Sequence, residues 1–126
     1  ALNEFPSNHE IRAALALTYK QRGAYYRAVT EYKYLINSNP DNAALHNNLG
    51  TVYYRNEQYD LAIEEYRKAI QLDDNLVAAY GNLGLVFLFN FNAKEAIPFL
   101  RKVFQNEEDM LKYLLLFYNP NHEQTG

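Results

Sequence analysis

Apolar residues recur at helical spacing along most of the chain. Leu45, Leu49, Val52 and Tyr53 share one side of a 3.6-residue helix, and Ala62, Ile63, Tyr66, Ala69 and Ile70 share one side of another. A short break at Asn56-Glu57 separates the two. The same two-helix unit returns before and after it, with breaks at Gly23 and Asn90-Phe91. Glycine and asparagine tolerate the left-handed backbone that ends a helix. Helix starts are marked too. Ser7 with Glu10 and Asn92 with Glu95 have capping-box spacing, and Asp41 or Asn42 precedes the second unit. The pattern predicts an all-α chain of helix pairs.

Sliding the sequence by 34 places aligns the units without an insertion. Leu15, Leu49 and Leu83 coincide, as do Ala16, Gly50 and Gly84, then Tyr19, Tyr53 and Phe87, then Ala28, Ala62 and Ala96. Asn48 and Asn82 also match. Three repeats result, at 9–42, 43–76 and 77–110. Antiparallel helices cross closely only where side chains are small, so Ala16/Gly50/Gly84 and Ala28/Ala62/Ala96 are the expected points of contact. The larger residues fill the space between pairs, each burial worth roughly 1.5–3 kcal/mol. Pro98 is expected in or near the first turn of its helix, bending rather than breaking it.

The segment 107–118 does not fit a fourth repeat. It opens with Glu107-Glu108-Asp109, which suits a helix N-terminus, and is then apolar nearly all round. One side can cover the third repeat. The other is a surplus apolar face, centred on Leu115, Leu116 and Tyr118. The tail 119–126 is polar and expected to be disordered. The whole, 1–126, reads as a single domain.

Composition narrows the chemistry. A net charge of −3 does not suggest nucleic acid or a membrane surface as partner. No apolar run approaches the roughly 20 residues of a membrane span. There is no cysteine, hence no disulfide and no thiolate metal site. The first residue is Ala1 rather than Met, which suggests a mature product or an excised fragment. Cytoplasmic and periplasmic settings both stay open. Two serines and three scattered histidines give no nucleophile–base set, so no catalytic residue, metal or cofactor is expected. His46 falls at a packing position. Glu64-Glu65 are adjacent on a helix and point apart.

The middle repeat, AALHNNLGTVYYRNEQYDLAIEEYRKAIQLDDN, resembles the tetratricopeptide repeat (TPR) family. The repeats depart from its pattern in places. Arg12 and His46 stand where a bulky aromatic is usual, Leu35 and Val103 where alanine is, and Glu108 at the closing proline. The resemblance implies a right-handed solenoid of three antiparallel helix pairs plus a C-terminal helix. The first helix of each pair would line an inner groove. Its lining would include Leu17, Lys20, Asn47, Asn48, Thr51, Tyr54, Arg55, Asn82, Leu85, Leu88 and Phe89, over a floor of small residues such as Ala13, Ala44, Ala78 and Gly81. Asn48 and Asn82 are similar to the asparagine ladder in the TPR superhelix of the O-linked N-acetylglucosamine transferases, where amides grip a peptide backbone. The clamp that TPR domains use for C-terminal tails of heat-shock chaperones falls here on Ala13, Leu17, Asn48, Ala78 and Asn82. Its lysines are absent, so such tails are not expected.

The functional expectation is a scaffold that binds a protein or extended peptide in the groove. The alternatives are a self-assembly module oligomerising through the apolar last helix, and a targeting domain excised from a larger enzyme.

Overall fold

The computed structural model describes residues 7–90 and 93–116. Among them are seven α-helices and no strand: α1 Asn8–Gln21, α2 Tyr25–Ser38, α3 Ala43–Arg55, α4 Tyr59–Leu72, α5 Val77–Phe89, α6 Ala93–Val103 and α7 Glu107–Leu116. Helices pair as α1/α2, α3/α4 and α5/α6. The pairs stack through α2 on α3 and α4 on α5, and α7 rests on α6. This is the all-α helical solenoid that the periodicity implies.

Local signals explain the breaks. The Ser7 side chain caps α1 by accepting from Glu10 N at 3.1 Å. Asn42, not Asp41, caps α3, accepting from Leu45 N at 3.2 Å. Asn92 lies outside the described residues. Between paired helices the left-handed residue is Gly23 at φ +77°, and one repeat later Glu57 at φ +61°. Asn56, the expected bearer of that conformation, has φ −90°. A non-glycine residue there is strained by about 1–2 kcal/mol. Glu57→Gly should therefore raise the unfolding free energy slightly, by up to about 1 kcal/mol after the added freedom of the unfolded chain is counted, as a urea titration would show.

The close contact within a pair differs from the expected meeting of two small residues. An ideal Cβ on Gly50 would sit 2.7 Å from Cδ1 and Cε1 of Tyr66, and one on Gly84 would sit 2.5 Å from Cδ2 of Leu100. The glycines admit a large side chain from the second helix, and Tyr66 and Leu100 are one repeat apart. Both are almost wholly buried, with Val52, Leu83 and Val86. Pro98 is also placed differently. It is the sixth residue of α6, beyond the first turn, and the helix continues through it.

The ends of the stack are less covered. Leu15 is 37% exposed, against 2% for Leu49 and 0% for Leu83, because no described helix precedes α1. At the other end α7 begins at Glu107, ahead of the Leu111 start that a fourth repeat would require. Met110 is buried and Tyr113 and Leu114 pack on the core, whereas Leu111, Leu115 and Leu116 are exposed. Tyr118 and the tail 119–126 lie outside the described residues.

Candidate functional site

The first helices of the three pairs, α1, α3 and α5, carry the candidate site. A polar seam joins them. Lys20 Nζ of α1 donates to Asn48 Oδ1 of α3 at 3.4 Å. Asn82 Nδ2 of α5 donates to Asn47 Oδ1 of α3 at 3.0 Å. Asn48 and Asn82 therefore do not stack on each other. Each is braced by a side chain of the preceding inner helix, and Asn47 is a brace that the repeat alignment did not single out. These bonds leave Asn48 Nδ2 and Asn82 Oδ1 without a hydrogen bond among the described residues. No buried side-chain polar atom there lacks a partner, so this donor and this acceptor face solvent.

Beneath the seam, Thr51 Oγ1 bonds the Asn47 carbonyl at 3.1 Å and lies 3.0 Å from the Tyr66 hydroxyl. Burial pushes the Tyr66 phenol up to about 12. A phenol whose folded pKa is raised contributes stability that is complete below pH 10 and lost as pH rises through 12. The expected loss is roughly 2–3 kcal/mol between those limits. Tyr32, Tyr54 and Tyr113 are pushed the same way by burial. Urea titrations at pH 9 and pH 11 measure the first half of the loss, about 1 kcal/mol, and Tyr66→Phe should reduce the difference between them.

One end of the face is aromatic. The Tyr54 ring lies 5.9 Å from both Tyr59 and Phe89. Tyr113 of α7 is near enough to Tyr54 to affect its titration, and it packs on Phe104 at 5.0 Å. Neither Tyr59 nor Tyr113 stands among the sequence candidates. Their involvement depends on how α4 and α7 close around α3, which a one-dimensional pattern does not carry. Leu17 and Phe89 are exposed, Leu85 half-buried, and Leu88 half-buried against the core. Gly81 is not simply groove floor: a Cβ there would meet Val103 of α6 at 3.5 Å.

The other end is cationic. Lys20 is half-buried, and burial together with the nearby charge of Arg55 lowers its pKa. The field of Arg55 also reaches Tyr32 and Tyr66.

Two further groups of titratable side chains have structural partners. His46 is buried, with Nδ1 2.9 Å from Glu65 Oε1 and Nε2 3.0 Å from the Pro40 carbonyl. One repeat earlier, at the same two positions, Arg12 binds Glu31 at 3.1 Å and stacks over Tyr34. In the third repeat those positions hold Tyr80 and Phe99. Two departures from the family pattern are thus matched by their opposite residue. Among the described residues there is no group of side chains fit to hold a metal, and no helix is long and apolar enough to cross a membrane.

Comparison with known proteins agrees with this architecture. The family described as TPR repeat matches residues 16–57 and 52–88, and that described as Tetratricopeptide repeat matches residues 77–109. A search of the curated proteins finds no significant relative. Solved structures do match. MamA MSR-1 superposes with a TM-score of 0.68 at 25% identity, covering 75% of this chain and 55% of that one. MamA from Desulfovibrio magneticus RS-1 gives 0.74 at 22%, covering 82% and 59%. This chain thus spans little more than half the length of those two proteins. The second TPR of Spaghetti (RPAP3), bound to the HSP90 peptide SRMEEVD, gives 0.70 at 24%, covering 77% and 90%, and shares the fold. With the matched repeats running over well more than half of the chain, on helices that pair as the repeat requires, the protein belongs to the tetratricopeptide repeat family.

Proposed function

We propose that this protein is an interaction scaffold that binds an extended peptide, or an extended segment of a protein partner, along the inner face of α1, α3 and α5. The observation that carries this reading is the pair of solvent-facing amide atoms, Asn48 Nδ2 and Asn82 Oδ1, one helix apart and each held by a second bond. A peptide backbone presents both an acceptor and a donor. Packed helices lie about 8–10 Å apart, and an extended chain advances about 3.3 Å per residue. The two amides therefore meet backbone groups about three residues apart. This grip reads no side chain; the aromatic end, Tyr54 and Phe89, supplies the selectivity.

The test begins with peptides selected on the immobilised protein from a random display library. Calorimetry then compares wild type with Asn48→Ala/Asn82→Ala. Each backbone bond contributes roughly 0.5–1.5 kcal/mol, so the double variant should bind about five- to 150-fold more weakly. Circular dichroism checks folding, since the seam also braces the helices. A folded double variant with undiminished affinity would remove the basis of this reading.

The acidic heat-shock tail is not the ligand on this reading, because Ala13, Leu17 and Ala78 offer no cation at the clamp positions.

A second reading rests on Leu111, Leu115 and Leu116, which are 56%, 59% and 78% exposed on one helix. A self-associating chain would cover them. Light scattering should then show a dimer that Leu115→Glu/Leu116→Glu converts to monomer; a monomer at high concentration ends this alternative.

A further inference from the structure

Lys20 and Arg55 are cations on the inner face, near enough for the charge of one to act on the other, and neither forms an ion pair among the described residues. The ion pairs among the described residues lie elsewhere: Arg12–Glu31, Lys68 with Glu64 and Glu65, Arg101–Glu107 and Lys112–Glu108. The lowered pKa of Lys20 has two causes, burial and the charge of Arg55; no carboxylate opposes them. Holding an ammonium partly out of water beside a guanidinium is unfavourable. A lysine stem is long and flexible and could swing into solvent. Here it turns inward onto Asn48 instead. The helix dipole favours a cation in the last turn of α1 and of α3, but it does not favour that inward turn.

We propose that Lys20 and Arg55, beside Asn48, form a subsite for a carboxylate, the side chain of an aspartate or glutamate in a peptide bound along the inner face, while Asn48 Nδ2 stays on the peptide backbone. This inference rests on the peptide-binding reading above and adds the chemistry of the ligand. A carboxylate accepts two parallel bonds from a guanidinium and still has lone pairs for an ammonium. It also removes the unfavourable field between the two cations. The nearby phenols of Tyr32 and Tyr66 have raised pKa values, so they bring no competing negative charge at neutral pH.

The subsite also gives the ligand a direction. Lys20, Arg55 and Phe89 occupy the last turns of α1, α3 and α5 and so follow one edge of the face in order. The acid sits toward the first pair and an apolar residue toward the third, on Tyr54 and Phe89. With about three residues per helix step, the two are about three to six residues apart.

The library selection tests this. Enriched peptides should share an acidic residue at a fixed distance from an aromatic or aliphatic one. Replacing that acid by its amide should weaken binding to wild type about tenfold at low salt, and less at high salt. The same replacement should change nothing on Lys20→Gln/Arg55→Gln, whose thermal melt should match wild type. Enriched peptides without a common acid, or an equal loss on wild type and variant, overturn the subsite and leave the groove reading intact. No enriched peptide at all overturns both. Should the double variant fail to fold, Lys20→Gln and Arg55→Gln taken singly must each reduce the effect of the acid-to-amide change, and an undiminished effect on both would overturn the subsite.

Discussion

Gly50→Leu is expected to destabilise the fold by more than 3 kcal/mol, read as a large fall in the urea midpoint. Overpacking a core costs about 1–3 kcal/mol where neighbours can shift. At Gly50 they cannot shift readily. The obstructing atoms are ring carbons of Tyr66, which is 1% exposed and whose hydroxyl is held at Thr51. A leucine therefore separates α3 from α4, and the stack of α2 on α3 goes with it. A domain of this size has roughly 5–15 kcal/mol in total, so the variant should lose a large fraction of its stability. Gly50→Ala should be milder, because the first repeat already carries Ala16 opposite the position of Tyr32. An unchanged midpoint for Gly50→Leu would mean that the paired helices do not meet at this residue.

The second large effect is expected at the buried pair of His46 and Glu65. Removing one partner of a buried, hydrogen-bonded pair costs about 3–5 kcal/mol, and Glu65→Ala should approach that. The chemistry of the site allows a sharper contrast. The Pro40 carbonyl can only accept, so His46 Nε2 must donate to it. A glutamine at position 65 can donate its amide hydrogen to His46 Nδ1 and satisfy the ring in its neutral form. Glu65→Gln should therefore retain most of the stability that Glu65→Ala loses. Equal losses in the two variants would show that the bond to Nδ1 is not what holds this ring.

The sequence carries the helix pairs and their stacking because a small residue recurs at one place in all three repeats, Ala16, Gly50 and Gly84, at a fixed offset of 34. Gly50 and Gly84 announce a close approach. Their partners, Tyr66 and Leu100, were visible as repeat positions only once the structure showed which side chain enters the notch. Glu57 illustrates a different limit. Its left-handed backbone is set by the length of the turn between α3 and α4, and the residue type gives no sign of it. Asn47 is a third case. Neighbouring asparagines on a helix look alike in sequence, and only the distance between inner helices decides that Asn47 reaches Asn82 while Asn48 reaches Lys20. The candidate face itself was legible in outline, since packing accounts for one side of each inner helix and leaves the other. Lys20, Arg55, Tyr54 and Phe89 were legible as its cations and its aromatic residues; the places of Tyr59 and Tyr113 beside Tyr54 were not.

The claim on which the rest depends is that the inner face of α1, α3 and α5 is where a partner binds. Amide chemical-shift mapping of the labelled protein against a peptide selected from the library tests it most directly. Shifts should concentrate at Lys20, Asn47, Asn48, Arg55, Asn82 and Phe89, and Tyr26 on the outer helix α2 should stay unmoved. Shifts confined to α7 or to α2, with Asn48 and Asn82 silent, would contradict it.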